Sequence, residues 1–443
     1  RDTSRGLVGS EMCIRDRARR RRGTREQIGR AGFPVTAPGG AGKMPPTLPR
    51  RPDTLPVKIL HIGKYFSPYR GGVETYLLDV MNAQTRAGHD VAALVHDHER
   101  SLGSKRTREK AGTVWRAGTL ATAFFTPISP GFRGTLRRLI REFQPDVIHA
   151  HLPNPSVCWL LTLAEMKRLP LVLHWHSDVL TDGQGAAMRL LYRGYQPLEH
   201  RLLEQAEAII ATSESYLATS ASLQDFPDKC HVVPLGLDAD RFLNRAHVPE
   251  LAIDSGDGSF EILAIGRLTY YKGFGFLIRA VATLEDVSLH IVGEGSLRDE
   301  LWQLAKELEV EDRVHFHGGL DDRSLAARLA ACDCVCLPSI ERTEAFGLVL
   351  LEAMAFGRAT VSSRVPGSGM SWVVEDEVTG LLVPPRDVEA LAGALARLRD
   401  DPELAVRLGE GGRKRFRSHF AIEPSAAALT RVYEQVLKPG AAS

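Results

Sequence analysis

No apolar run in this 443-residue chain reaches the ~18 to 20 positions that a membrane-spanning helix requires. Cysteine is scarce, with six in all, which fits a reduced, cytoplasmic compartment. Three of the six fall in CDCVC, at Cys332, Cys334 and Cys336. That spacing is not a usual zinc pattern and no second pair lies nearby. These cysteines therefore read as small hydrophobes on one face of a strand ending at Pro338. The amino terminus lacks the hydrophobic core of a signal peptide, which argues against secretion. No nucleophile elbow, Walker loop or HExxH element is present.

Net charge is also small, +2 from 56 Lys and Arg against 54 Asp and Glu, but it is unevenly spread. Residues 1–55 hold 13 basic against 5 acidic side chains, an Arg run at 19–22, and many Gly and Pro. Such a segment cannot bury a core, so it reads as a disordered basic extension, in part non-native, with a start near Met44. A basic arm for nucleic acid or membrane is the alternative.

From Val57 onward the composition is that of an ordinary globular protein, too long for one core. Short apolar strands alternate with helical patterns: VKILHIG, VAALVHD, PDVIHAH, LVLHWHSD and EAIIATS, with a helical run near 155–168 and another near 185–206. A second series starts at FEILAIGRL and runs through SLHIVGEG, RVHFHGGL, DCVCLPS, ATVSSRVPG and TGLLVPP. The pattern predicts an α/β protein of two Rossmann-like doubly wound domains facing each other across a cleft. The expected divisions are 56–235, 236–420, and a carboxy-terminal helix at 421–438 returning to the first domain. The linker falls at about 236–258.

The polar and Gly-rich features sit at strand ends, where open α/β sheets bind ligands. LPSIERTEAFGLVLLEAMAFG carries Glu344 before an apolar helix and Glu352 on it, with seven residues between them. A carboxylate on such a helix needs a partner or a polar ligand, and the helix start offers N–H groups to an anion. Arg267 and Lys272 in GRLTYYKG suit a diphosphate, and Gly71-Gly72 opens a helix that can approach one. Gly293 in VGEG belongs to an incomplete dinucleotide fingerprint and is read as a wall of a nucleotide site. Most of the many strand histidines read as core residues without a metal. His176 is the exception, because WHSD ends a strand at the cleft edge. Arg137, Arg138 and Arg141 line the polar side of a short helix, either as a solvated face or as a contact for lipid phosphates.

In this order, GGVE, VVPLGLDADRF, GRLTYYKG, VGEGSLRDEL, VHFHGGL, LPSIERTEAFGLVLLEAMAFG and TGLLVPPRDVEAL resemble the retaining GT-B glycosyltransferases of family 4. The resemblance covers about 57–437. It implies a hexosyltransferase that needs no metal or other cofactor. Arg267 and Lys272 match the pair holding the donor diphosphate, Glu344 the glutamate on donor sugar hydroxyls, and Glu352 the one binding ribose. The amides of Phe346, Gly347 and Leu348 would face the donor, with Gly72 near its phosphate and His176 at its sugar. Leu235 stands where the family commonly has Asn, and Pro366-Gly-Ser-Gly369 replaces a frequent Gly-Gly-x-x-Glu stretch. The opening KILHIGKYFSPYRGGVETY and the GSGMSWV variant are similar to bacterial mannosyl- or rhamnosyltransferases of surface-polysaccharide assembly.

The partners implied are a nucleotide-sugar donor, preferably GDP-mannose, and a glycan or polyprenyl-diphosphate-linked acceptor. Peripheral contact with an anionic membrane at the inner face of the plasma membrane goes with them, and nucleic acid does not. The competing readings are a GT-B nucleotide-sugar epimerase, a dinucleotide oxidoreductase, and a sugar-nucleotide-binding scaffold without activity. Intact Glu344, Arg267 and Lys272 disfavour the scaffold, and the missing third glycine disfavours the oxidoreductase.

Overall fold

A computed structural model describes residues 56–123, 126–179, 186–243 and 258–438. The basic segment 1–55 and most of the linker lie outside these. The amino-terminal half runs β1 (Lys58–Ile62), α1 (Gly72–Arg86), β2 (Asp90–Arg100), β3 (Lys105–Glu109), β4 (Gly112–Thr119), β5 (Ala121–Ala123), β6 (Thr126–Ile128) and α2 (Phe132–Phe143). It continues with β7 (Val147–Leu152), β8 (Leu171–Trp175), α3 (Ala186–Gln205), β9 (Ala208–Ala211), α4 (Glu214–Leu217) and β10 (Cys230–Val232). After α5 (Asp240–Leu243) come β11 (Phe260–Ile265), α6 (Phe274–Ala282), β12 (Val287–Val292), α7 (Arg298–Glu307), β13 (Val314–Gly318), α8 (Asp322–Ala331) and β14 (Cys334–Leu337). The chain closes with α9 (Leu348–Phe356), β15 (Ala359–Ser363), α10 (Met370–Val373), β16 (Leu381–Val383), α11 (Val388–Asp400), α12 (Pro402–Arg415) and α13 (Ile422–Val436).

The first sheet has the order β10-β9-β8-β7-β1-β2-β4-β3, parallel except for β3. The second is β13-β12-β11-β14-β15-β16 and wholly parallel among its described pairs. Both are doubly wound, so the strand order reverses beside β1 in one and beside β11 in the other. Their strands are short apolar runs because helices cover both faces. In β1, for example, Leu60 and Ile62 join the core under α2, while Ile59 joins the core shared with α1 and α13. The molecule is two Rossmann-like domains in the GT-B arrangement. No helix among the described residues is long and apolar enough to cross a membrane.

Three local features differ from expectation. The run at 155–168 is two 3-10 pieces, Pro155–Thr162 and Ala164–Arg168, opened by Asn154, whose side chain accepts from Ser156 N at 3.2 Å. A proline at the start and an extended Leu163 in the middle keep it from becoming one α-helix. The polar, exposed strand β3 escapes any apolar-run criterion. Cys334 and Cys336 share one core on β14, but Cys332 caps α8 and sits in the other core.

Candidate active site

The two sheet reversals bring their strand ends toward the same space. After β11 the chain turns through Gly266 and Arg267 into a 3-10 turn, Tyr270–Lys272, which Gly273 closes at φ 71°. Gly273 is obligatory there, since a Cβ would strike the Pro338 carbonyl as well as sit in a left-handed conformation. That turn buries Lys272 against the loop after β14, where its Nζ pairs with Glu344 Oε2. Ser339 Oγ donates to the same carboxylate oxygen at 3.3 Å. Burial works against the Lys272 charge, yet Glu344 and Tyr271 together outweigh it and hold the ammonium above its ordinary pKa. Gly293 packs its bare Cα face against the Gly266 carbonyl, so here the glycine serves the closeness of two strand ends.

Two helix starts face one another nearby. Gly72 opens α1 and Gly347, at φ 83°, precedes α9. A Cβ on Gly72 would lie 3.3 Å from Leu348 Cδ1, in the first turn of α9. Apart from the Glu74 N–H, which its own carboxylate takes, the N–H groups of both first turns, including that of Leu348 beside Phe346 and Gly347, border one volume suited to an anion. Lys64, just past β1, and Arg267 add positive charge close to the buried Glu74 of α1. Burial raises the Glu74 carboxyl above its usual range against its own backbone hydrogen bond and the pull of Lys64 and Arg267.

Glu352 lies deeper on α9, 8% exposed, and its Oε2 has no hydrogen-bond partner among the described residues. Burial pushes its carboxyl up to about 7, opposed by Arg241 and Arg70 and assisted by Asp322 and Asp79. Asp79 of α1 is likewise pushed to about 7 by burial. An Arg70–Asp322 ion pair of 2.9 Å ties the loop before α1 to α8.

His176 follows β8, buried, with Nε2 at 2.9 Å from His151 Nδ1 and its own Nδ1 unpartnered among the described residues. Asp178 is engaged otherwise. It accepts from Trp175 Nε1 at 2.7 Å, Ser220 Oγ at 2.6 Å and Arg342 at 2.7 Å. Arg342 stands in the ERTEAFG loop of the second half and stacks 4.7 Å over the Tyr216 ring. It is a latch between halves.

The geometry thus gathers Gly72, Leu348, Arg267, Lys272 and Glu344 about the sheet reversals and puts Glu352 at the base of the same α1–α9 seam. Lys64, Glu74, Asp79 and Arg342 were missed in the sequence. Lys64 alone had a readable signal, a cation directly after a strand. On α2, Arg137 and Arg141 share Glu165 at 3.1 and 2.9 Å, and Arg138 lies over Trp115, so these side chains are partly occupied.

Residues 70–241 match the family model described as Glycosyltransferase Family 4, and residues 252–415 match Glycosyl transferases group 1. The chain is similar to "O-antigen chain mannosyltransferase C" of Escherichia coli, at 29% identity over 86% of this chain and 99% of that protein. It is similar also to "D-rhamnosyltransferase WbpZ" of Pseudomonas aeruginosa, at 30% identity over 82% of this chain and 92% of that protein. Among solved structures, sucrose-phosphate synthase from Thermosynechococcus elongatus aligns with a TM-score of 0.72 at 25% identity, over 86% of this chain and 99% of that one.

Proposed function

Because the chain belongs to the family 4 glycosyltransferases and has their GT-B fold, we propose that it transfers mannose from GDP-mannose with retention of configuration. The acceptor in this reading is a glycan or a polyprenyl-diphosphate-linked glycan of a growing surface polysaccharide. That the chain is a sugar-transferring enzyme of polysaccharide biosynthesis follows from the family and its relatives. The donor, stereochemistry and residue roles are the proposed part.

The carrying observation is the buried Lys272–Glu344 pair between two facing helix starts. A nucleoside diphosphate leaving group gains negative charge as its bond to the sugar breaks. Arg267, Lys272 and the N–H groups of α1 and α9 would stabilise that charge without a metal. Glu344 would hold sugar hydroxyls, His176 would face the sugar, and the unpartnered Glu352 Oε2 would take a ribose hydroxyl. No protein nucleophile is assigned; the departing phosphate would accept the acceptor's proton. The names of two relatives, a mannosyltransferase and a rhamnosyltransferase, support a mannose-type donor.

Work at the cytoplasmic face of the plasma membrane is part of this reading. Four arginines on α2 (Arg133, Arg137, Arg138, Arg141) outnumber their partners Glu142 and Glu165. Trp159 is exposed on the 3-10 segment that packs against α2, and Leu190 is exposed on α3, which packs against that same segment.

The test is a panel of GDP-, UDP- and dTDP-sugars with the purified chain, following nucleotide release and thermal stabilisation. Acceptor lipid is supplied in detergent or in anionic vesicles. GDP-mannose should stabilise the protein and be consumed only when acceptor is present, faster on vesicles. A modified sugar nucleotide formed without acceptor would mean an epimerase, and no response to any donor would sink the reading.

A further inference from the structure

Beneath α1 and α13, the first sheet carries five buried histidines on one face: His61 on β1, His149 and His151 on β7, His174 on β8 and His176 just after it. Strand register sets them side by side, His61 opposite His149 and His151 opposite His174. Alternate positions on parallel strands share a face, so the row is a property of the sheet. Aliphatic residues would fill this space at less polar cost, and the row therefore calls for a reason.

The hydrogen bonds run in one line. Gln84 Oε1 of α1 accepts from His61 Nε2 at 2.8 Å. His61 Nδ1 is then an acceptor and takes the hydrogen of His151 Nε2 at 3.1 Å. His151 Nδ1 in turn accepts from His176 Nε2 at 2.9 Å. A neutral imidazole has one N–H and one lone pair, so each bond dictates the next. The line ends at His176 Nδ1, left with a lone pair and no protein partner among the described residues. A second branch leaves from the same amide. Gln84 Nε2 donates to the Tyr433 hydroxyl at 3.1 Å, and that hydroxyl, on α13, bonds His149 Nδ1 at 2.5 Å. His149 Nε2 then donates to His174 Nδ1 at 3.2 Å. The remaining His174 nitrogen, Nε2, has no hydrogen-bond partner among the described residues, and the Tyr76 ring crosses that of His174 at 71° with centroids 5.2 Å apart. Reversing the Gln84 amide would reverse every bond in the line.

Two sets, His61–His149–His151 and His151–His174–His176, have nitrogens close enough to suggest a metal. The ring geometry argues otherwise. His151 and His176 lie 14° from parallel with centroids 5.2 Å apart and nitrogens at 2.9 Å, so they meet edge to edge, nitrogen to nitrogen. Their lone pairs and hydrogens are spent on each other rather than aimed at a common point. Burial keeps His61 and His176 neutral, at about 4 and about 3, and the other three below their ordinary range.

We propose that Gln84, His61 and His151 form a polarised hydrogen-bond relay that holds His176 in its Nε2–H tautomer, presenting Nδ1 as an acceptor to a donor-sugar hydroxyl. Gln84, His61, His151 and Tyr433 are positioning residues in this scheme. The sugar contact rests on the function proposed above; the tautomer does not. Two-bond ¹H–¹⁵N correlation on the full chain labelled at histidine reads the tautomer directly, with His176→Gln assigning the signal. The wild type should show a protonated Nε2 and a bare Nδ1 at His176. Gln84→Glu, which keeps an acceptor for His61, should preserve that signature. Gln84→Met should give mixed tautomers and lower kcat about ten-fold with donor KM unchanged. A protonated Nδ1 in the wild type, or stoichiometric Zn²⁺ uptake that His151→Gln abolishes, would overturn the relay, and this holds even if Gln84→Met does not fold. Mixed tautomers with unchanged kcat would reject the sugar contact and leave the relay standing.

Discussion

Lys272 and Glu344 neutralise one another where neither charge is comfortable alone. Lys272 is only 7% exposed, so removing one partner leaves an uncompensated charge in a poorly solvated pocket. Lys272→Met should destabilise the fold by about 3 kcal/mol, and Lys272→Met combined with Glu344→Gln should recover most of that. If the pair also grips the donor, transfer in the double variant should stay at least about a hundred-fold down despite recovered stability. Urea unfolding alongside turnover separates the two; a double variant that regained transfer would make the pair purely structural. At this scale the sequence was legible where chemistry is local. Arg267 and Lys272 follow one strand, and Glu344 and Glu352 flank one helix start. Asp79 and Arg342 were illegible because each acquires its meaning from a partner in the other half. The histidine row was illegible for a related reason: only strand register makes neighbours of His61, His151 and His176.

Helix starts α1 and α9 meet at a contact that a single methyl group tests. Gly72 is not in a left-handed conformation, and alanine is a better helix former, so Gly72→Ala carries no backbone penalty. Its Cβ would press Leu348 at 3.3 Å and push the two first turns apart. Thermal stability should change by no more than ~2 °C while kcat/KM for the donor falls about ten-fold. Gly134→Ala on α2 is the control, since its Cβ would meet nothing within 4 Å. That change should stabilise by roughly 0.5 to 1 kcal/mol and leave transfer untouched. Unaltered donor kinetics in Gly72→Ala would mean that the two helix starts do not share a ligand. Elements with a buried apolar run were readable from sequence throughout. The exposed β3 and the 3-10 turns at 155–168 were not, because edge pairing and a proline start leave no periodic signature.

The halves are joined by more than a linker. α13 packs on α1 through Tyr76–Ser425 at 3.2 Å and Gln84–Tyr433 at 3.1 Å, and one apolar core runs through both halves. Beside this seam, Asp79 on α1 and Glu352 on α9 are both raised to about 7, with Asp322, Arg70 and Arg241 facing them. A two-domain cleft was foreseeable from the doubled βα pattern, but this carboxyl pair appears only once α1 and α9 are opposed. The pair makes folding stability pH-dependent, and the sign follows from linkage. A carboxyl whose folded value lies above its unfolded one binds its proton more tightly in the folded state. Its contribution is fully present below the ordinary carboxyl range and is lost as pH rises toward and through 7. Glu352→Gln fixes the neutral form. It should therefore match the wild type at pH 5 and exceed it at pH 8 by about 2 kcal/mol, visible as a Tm difference that opens across that interval. Asp79→Asn should behave alike, and the double variant should gain less than the two separately, since the Asp79 charge is one of the groups that raise Glu352. Parallel wild-type and Glu352→Gln profiles from pH 5 to 8 would show Glu352 ionised at no cost, and the seam would then play no part in pH response.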